Sequence, residues 1–305
     1  MQASINHEVK KAFTLGTILD YLNTTLITLI PKCNNPESLA NYRPISLCNL
    51  VDKVISKVLV ARIKPLLNNL ISPIQTTFIP GTKGVDNVLI AQELIYTMDK
   101  MKGREVYMAV KVDLEKAYDR LEWSFIHKVL QTFWFPHILI KLIMCCISTS
   151  SLFVFVNSCV LESFNPSRGI RQGDPLSLYL FIMCIEYLGY LIEEKCSKEL
   201  WCPLKALRGN VKIFHLFFAD DLILFVKVTN VVCKAIPEVL WTFCVESSQK
   251  ISCDKSRIYF SPNVATELKE KIYDKLGMFE TNNFGKYLGF LSNIKEHRGG
   301  SITCG

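Results

Sequence analysis

Residues 213–226 constrain this chain more than any other stretch. Two strongly apolar, β-prone runs, Ile213 to Phe218 and Leu222 to Val226, are separated only by Ala219, Asp220 and Asp221. Short apolar runs with so brief a connection predict an antiparallel hairpin with acids at its tip. The flanking runs hold those acids on a rigid ribbon near the core. Two adjacent carboxylates repel each other unless a cation neutralises them. A set of oxygen-only ligands suits magnesium, which takes one or two carboxylates and completes its shell with substrate phosphates. An Asp-Asp turn on the surface is the alternative, because Asp is common in turns. The two residues alone do not decide between these readings.

A third acid bears on the choice. Val106 to Asp113 alternates as a strand, with Val106, Met108, Val110 and Val112 on one face and Tyr107, Ala109, Lys111 and Asp113 on the other. If this strand pairs with the hairpin, three carboxylates converge in a geometry suited to two metal ions roughly 3.5–4 Å apart, which clamps the attacking and leaving oxygens of phosphoryl transfer. Helical spacing marks 51–67, with Lys53, Lys57, Arg62 and Lys64 between the apolar positions, and again 85–101. Further helices are expected at 123–133, from Pro136 to about Ile147, and from Leu176 onward, with strands at 26–30 and 152–156. Interleaved strands and helices predict an α+β fold, a sheet with helices packed on one face.

Composition excludes several classes. The chain has 305 residues, of which 50% are hydrophobic and 21% charged, enough apolar content for a sizeable core and too much for a disordered chain. A net charge of +7 fits a polyanionic partner but is shared by many enzymes. None of the 12 cysteines forms a Cys-x-x-Cys pair, so no structural zinc site is offered, and reduced thiols in an intracellular protein are expected. The N-terminal MQASINHEVKKAF lacks the apolar core of a signal peptide. The apolar stretch from Leu176 to Ile192 is interrupted by Glu186 and is shorter than the usual span of ~20 residues, so no membrane anchor is expected.

Three motifs, VKVDLEKAYDRLEW, SRGIRQGDPLSLYLF and HLFFADDLILF, follow one another at intervals of about fifty residues. LITLIPK, NYRPISLCNLVDKVISKVL and QTTFIPGTKGVDN precede them, and ISCDKSRIYFSPN and KYLG follow. Eight motifs in this order resemble the reverse transcriptase domain of LINE-type (non-LTR) retrotransposons, particularly the plant type, from about Leu26 to Asn293.

The resemblance implies a right-hand polymerase fold with an antiparallel palm sheet. It implies a lead-in over 1–23, fingers over 24–104, a palm over 105–291 and a tail over 292–305, together one reverse transcriptase domain. It implies an RNA-directed DNA polymerase that joins dNTPs to a primer 3′-hydroxyl on an RNA template with a DNA primer. Asp113, Asp220 and Asp221 match the acids that hold two Mg²⁺ ions, with Mn²⁺ as a substitute, and Lys255 matches a lysine that protonates the leaving pyrophosphate. Arg43 matches the arginine on the triphosphate, Lys53 is a second candidate there, Tyr118 matches the aromatic residue that screens the sugar 2′ position, and Gln172 matches the residue beside the nascent base pair. Tyr287, Leu288 and Gly289 match the primer grip. The plain alternatives are a core aromatic for Tyr118 and a solvated basic face for Arg43 and Lys53. Family analogy adds the nucleus as a possible location.

Some positions depart from the family pattern. Thr82 stands where arginine usually follows Pro-Gly, Leu178 and Leu291 replace prolines, and Ser158 replaces the glycine of an Asn-Gly hairpin turn, which weakens that turn. Past Asn293 the pattern dissolves into IKEHRGGSITCG, so a chain without a thumb is expected. The competing expectation is a catalytically inert retroelement relic that at most binds nucleic acid. A related enzyme, such as a group II intron maturase or an RNA polymerase, fits less well, since RNA synthesis requires a smaller residue than Tyr118.

Overall fold

Apolar runs become strands and helical repeats become helices close to where the sequence predicts them. The computed structural model describes residues 2–72, 74–75, 84–205, 212–282, 284, 286–287 and 290–291. From the N-terminus the chain forms α1 (Gln2–Leu15), β1 (Thr24–Pro31), β2 (Tyr42–Cys48), α2 (Leu50–Ile63), α3 (Leu67–Leu70), α4 (Gly84–Asp99), β3 (Tyr107–Val112), α5 (Ala117–Arg120), α6 (Trp123–Thr132), α7 (His137–Ser148), β4 (Ser151–Val156) and β5 (Cys159–Val160). It continues with α8 (Pro175–Ser197), β6 (Leu204–Lys205), β7 (Lys212–Ile213), β8 (His215–Phe218), β9 (Asp221–Lys227), α9 (Val232–Ser247), β10 (Arg257–Phe260), α10 (Thr266–Leu276), β11 (Phe279–Glu280), β12 (Lys286–Tyr287) and β13 (Phe290–Leu291).

These elements make two compact units interleaved along the chain. Residues 1–70, 116–184 and 246–249 form the first, and 71–115, 185–245 and 250–305 form the second. The first contains a sheet of order β2-β1-β4-β5 and the helices α1, α2 and α7, which pack on one another. β1 runs antiparallel to β2 and parallel to β4. Pro44 lies within β2, a position the ladder tolerates because β2 is an edge strand and the missing N–H faces outward.

The β4–β5 hairpin closes with Val156 opposite Cys159, and its two turn residues, Asn157 and Ser158, have φ of +50° and +64°. Positive φ at both positions is the requirement of a type I′ turn, where Asn-Gly is the favoured pair. Ser158 therefore carries the left-handed penalty that glycine avoids. Ser158→Gly is expected to raise stability by about 1 kcal/mol, after the entropy that glycine adds to the unfolded chain is subtracted. Denaturation in urea reads this directly, and an unchanged or lower midpoint would refute it.

The second unit is built on a sheet of order β11-β10-β3-β9-β8, with β3 at its centre. β3 is antiparallel to both neighbours, pairing Val110 with Leu224 of β9 and Ile258 of β10. On one face, Tyr107, Ala109, Ile223, Phe225 and Tyr259 pack with Val88, Ala91, Leu94, Ile95 and Met98 of α4. The opposite face, with Met108, Val110, Leu222, Leu224 and Ile258, is buried as well. The apolar run expected from Ile213 to Phe218 is broken at Phe214, so Ile213 belongs to β7, paired with β6, and β8 begins at His215.

α8 starts on a proline, whose fixed φ and missing N–H suit the first helical position. It is long and apolar enough to cross a membrane, but 72% of its most apolar window is buried inside the fold. Phe181, Ile182, Met183, Ile185 and Ile192 are wholly buried, which identifies α8 as a core helix.

Candidate active site

The hairpin predicted at the acidic turn forms between β8 and β9. Phe218 pairs with Asp221, leaving a two-residue turn of Ala219 and Asp220, with φ of +52° at Ala219. Asp221 is therefore the first residue of β9, and Asp220 projects from the turn into solvent. β3 lies along the other side of β9, pairing Val112 with Leu222. One further step in this register sets Asp113 opposite Asp221. Backbone pairing alone thus brings acids 107 and 108 residues apart in sequence (220 − 113 and 221 − 113) to one end of one sheet.

A separate loop fixes Asp113. Its backbone N–H donates to Ser256 Oγ at 3.1 Å, and its carbonyl accepts from the Ser252 N–H at 2.9 Å. Both serines lie in the ISCDKSRIYF motif, and this loop also carries Lys255, which is exposed. Burial raises the Asp113 carboxyl above the ordinary carboxylate range; the Lys255 charge opposes this and Asp220 reinforces it. Burial likewise raises Asp221, with Lys111 opposing and Asp220 and Asp113 reinforcing. Lys111 Nζ stands 3.8 Å from Asp221 Oδ1. Two lysines only partly offset this cluster of acids, and every donor in it is a carboxylate oxygen. That donor set fits hard divalent cations.

Among the described residues, the group of ligand atoms lying within 4.8 Å of one another is a different one, Cys48, Asp52 and Asp174. A guanidinium fills it. Arg171 Nη1 lies 2.7 Å from Asp52 Oδ2, and Nη2 lies 2.6 Å from Asp174 Oδ2 and 3.2 Å from Asp52 Oδ1. Nη1 also donates to Asn23 Oδ1 and Thr25 Oγ1, each at 3.0 Å. Burial favours loss of the Arg171 proton, but Asp174 and Asp52 outweigh it and hold the cation fully charged. Asp174 Oδ1 in turn accepts the Leu176 N–H and so caps α8. This is a structural ion cluster, and it rigidifies the loop that carries Gln172.

The same loop is tied to β2 and to α5. The Gln172 carbonyl accepts the Ser46 N–H of β2 at 2.7 Å, and its side-chain amide donates to Asp119 Oδ1 of α5 at 3.1 Å. Gly173 has φ of +102°, and a Cβ there would stand 3.2 Å from the Ser46 carbonyl oxygen, so only glycine fits. Arg43 is exposed on β2. The half-buried Tyr118 ring stacks on Phe181 at 4.8 Å between centroids, and the Tyr118 carbonyl accepts the Ile170 N–H. Lys53 is exposed on α2, one residue from the buried Asp52. Arg62, farther along α2, lies 4.4 Å over the Phe13 ring.

Asp113, Asp220, Asp221 and Lys255 thus belong to the second unit, and Arg43, Lys53, Tyr118 and Gln172 to the first. Tyr287 ends β12, which pairs with β13, whereas Leu288, Gly289 and Thr82 lie outside the described residues. Sequence reading placed Lys111 on the Asp113 face without giving it a part in the site. Asn87, at the end of QTTFIPGTKGVDN, and Glu186, within the apolar stretch, carry no role by sequence, because a lone amide or acid in an apolar helix does not show its partner.

The family described as reverse transcriptase (RNA-dependent DNA polymerase) matches residues 30–291. An uncharacterized 149 kDa protein of transposon TX1 from Xenopus laevis is 25% identical over 287 residues, 94% of this chain and 21% of that protein. The Pol polyprotein of a type-1 retrotransposable element R2 from Popillia japonica is 28% identical over 200 residues, 65% of this chain and 26% of that protein. The chain therefore spans about a fifth to a quarter of the length of these relatives. The structure of telomerase from Candida tropicalis, solved with a fragment of telomeric RNA, superposes with a TM-score of 0.56 at 15% identity, covering 85% of this chain and 44% of that one. That likeness shows the right-hand polymerase fold. With this match running from β1 to β13, the chain belongs to the reverse transcriptase (RNA-dependent DNA polymerase) family, among the non-LTR retrotransposon proteins.

Proposed function

We propose that this chain is the fingers and palm of an RNA-directed DNA polymerase, adding dNTPs to a DNA primer on an RNA template. The observation that carries the reading is the register of β3, β9 and β8, which sets Asp113, Asp220 and Asp221 at one end of one sheet. These three carboxylates would hold two Mg²⁺ ions, which lower the pKa of the primer 3′-hydroxyl and carry the charge of the triphosphate. Lys255, whose charge acts on Asp113, gives a proton to the leaving pyrophosphate in this reading. Arg43 offers the triphosphate a planar cationic fork, with Lys53 as a second cation. Tyr118, held by Phe181, screens the sugar 2′ position. Gln172, fixed through both its carbonyl and its amide, lies beside the nascent base pair. Tyr287, Leu288 and Gly289 form the primer grip. Basic residues of α2 supply sequence-independent contacts to the template.

Primer extension on a primed RNA template tests this. Magnesium-dependent dNTP incorporation by the full chain is expected, and it should fall to the background level in Asp220→Asn. Incorporation that persists in this variant would remove the acids from the chemistry. If the wild-type chain binds template–primer with a steep salt dependence yet never extends it, the inert reading takes its place.

A further inference from the structure

The catalytic turn has a weak point, and an internal side chain covers it. The Phe225 N–H donates to the Phe214 carbonyl at 2.9 Å, and Phe218 pairs with Asp221 across the two-residue turn. In an antiparallel ladder the hydrogen-bonded pairs recur every second residue, so they fall at 214, 216 and 218. Phe217 lies between them, and its backbone groups point away from β9. β8 is also the last strand of the sheet, so among the described residues these groups are met only by the short segment around Gln75 and by a side chain. A strand edge of this kind, next to the turn that bears Asp220, is prone to fray.

Asn87 of α4 closes this edge. Its wholly buried amide donates through Nδ2 to the Phe217 carbonyl at 3.2 Å and to the Ile74 carbonyl at 3.2 Å. Gln75 makes a parallel bridge to the same Phe217. The 72–75 segment is itself anchored, because the Gln75 N–H donates to the Ser72 carbonyl and the Ser72 N–H donates to Glu186 Oε1 of α8, each at 2.9 Å. Asparagine is a poor helix former and costly to bury, so helix stability does not account for it at position 87. Its two bonds to carbonyls do.

We infer that Asn87 is a positioning residue, holding β8 so that Asp220 and Asp221 keep their place opposite Asp113. Its effect on nucleotide addition rests on the polymerase reading above, but its effect on the hairpin does not. Asn87→Leu keeps the volume and removes the donors. Hydrogen exchange of the full chain is expected to quicken about tenfold over 215–222, the consequence of losing roughly one hydrogen bond's worth of local stability, with protection of β10 unchanged. In primer extension, the Mg²⁺ concentration for half-maximal rate should rise several-fold while the KM for dNTP stays constant. Asn87→Ser, which retains a shorter donor, should fall between the two, and it decides the matter if the leucine variant does not fold. Unchanged hairpin exchange in a folded variant would overturn the inference. So would exchange that quickens equally throughout the unit, or a slower rate with the same Mg²⁺ dependence. If the wild-type chain incorporates no nucleotide, the polymerase reading fails and the exchange result still decides the role of Asn87.

Discussion

Arg171→Met is expected to cost about 3–5 kcal/mol of folding free energy, the range for removing one partner from a buried ion pair. The loss comes from what stays behind. Asp52 and Asp174 are almost fully excluded from water, and the guanidinium is the cation that faces both. Without it, two buried carboxylates lie close together with no compensating charge, and the Asn23 and Thr25 oxygens lose a donor. Asp52→Asn removes one negative charge and should cost less than Arg171→Met. In the double variant Arg171→Met/Asp52→Asn the losses should fall well short of additive, because the second change relieves part of the charge that the first exposed. Urea denaturation of the four proteins completes the cycle. A loss below about 1 kcal/mol for Arg171→Met would show that water reaches the cluster. Because Gln172 is the next residue, a folded Arg171 variant should also misplace the contacts of Gln172 with Ser46 and Asp119.

Glu186→Gln should stabilise the protein at alkaline pH and leave it nearly unchanged in acid. Burial in α8 pushes the Glu186 carboxyl up from 4.5 to about 7; the Ser72 N–H opposes this and Glu193 assists it. A carboxyl raised on folding binds its proton more tightly in the native state than in the unfolded one. Its contribution to stability is therefore present below pH 4.5 and is lost as pH rises through 7. At 1.36 kcal/mol per unit the loss approaches about 3 kcal/mol. Glutamine retains the oxygen that accepts the Ser72 N–H and has no proton to lose. The variant should thus gain up to about 3 kcal/mol over wild type at pH 8 and almost nothing at pH 4.

His215 makes the profile more telling. A Cβ at Gly189 would meet His215 Nε2 at 3.5 Å and Glu186 Oε1 at 3.7 Å, so the two groups border one spot. Burial pushes His215 down from 6.5 to about 3, which makes stability fall as pH drops through that window. In wild type the two slopes oppose each other between pH 4.5 and 6.5, and in Glu186→Gln the His215 slope stands alone. A stability difference between the two proteins that does not vary with pH would refute this assignment.

Much of the palm sheet was legible because its signals are local. The runs flanking Asp220 and Asp221 are short, apolar and joined by a turn, and alternation placed Lys111 and Asp113 on one face of β3. The β2 strand was not read from pattern, since Arg43 and Pro44 interrupt any alternation and proline is admitted only by the edge position of β2. β10 is four residues long, and its membership in the sheet depends on β3 lying beside it. Pro237 inside α9 marks a helix break by local rules, yet the helix runs from Val232 to Ser247.

By itself the sequence determined the acidic hairpin, the third acid on a strand, the apolar helix from Leu176 onward and the motif order that marks the family. Each of these, the motif order apart, rests on neighbours a few residues apart. The tertiary structure decided that Asp113 meets Asp221 through the β3–β9 register, and that Arg171 neutralises Asp52 as well as Asp174. It also decided that Asn87 and Gln75 meet the outer edge of β8 at Phe217. These pairings each span more than one hundred residues of sequence, apart from Arg171 with Asp174. They form because burial leaves a charge or a backbone carbonyl no partner but the one the fold brings to it.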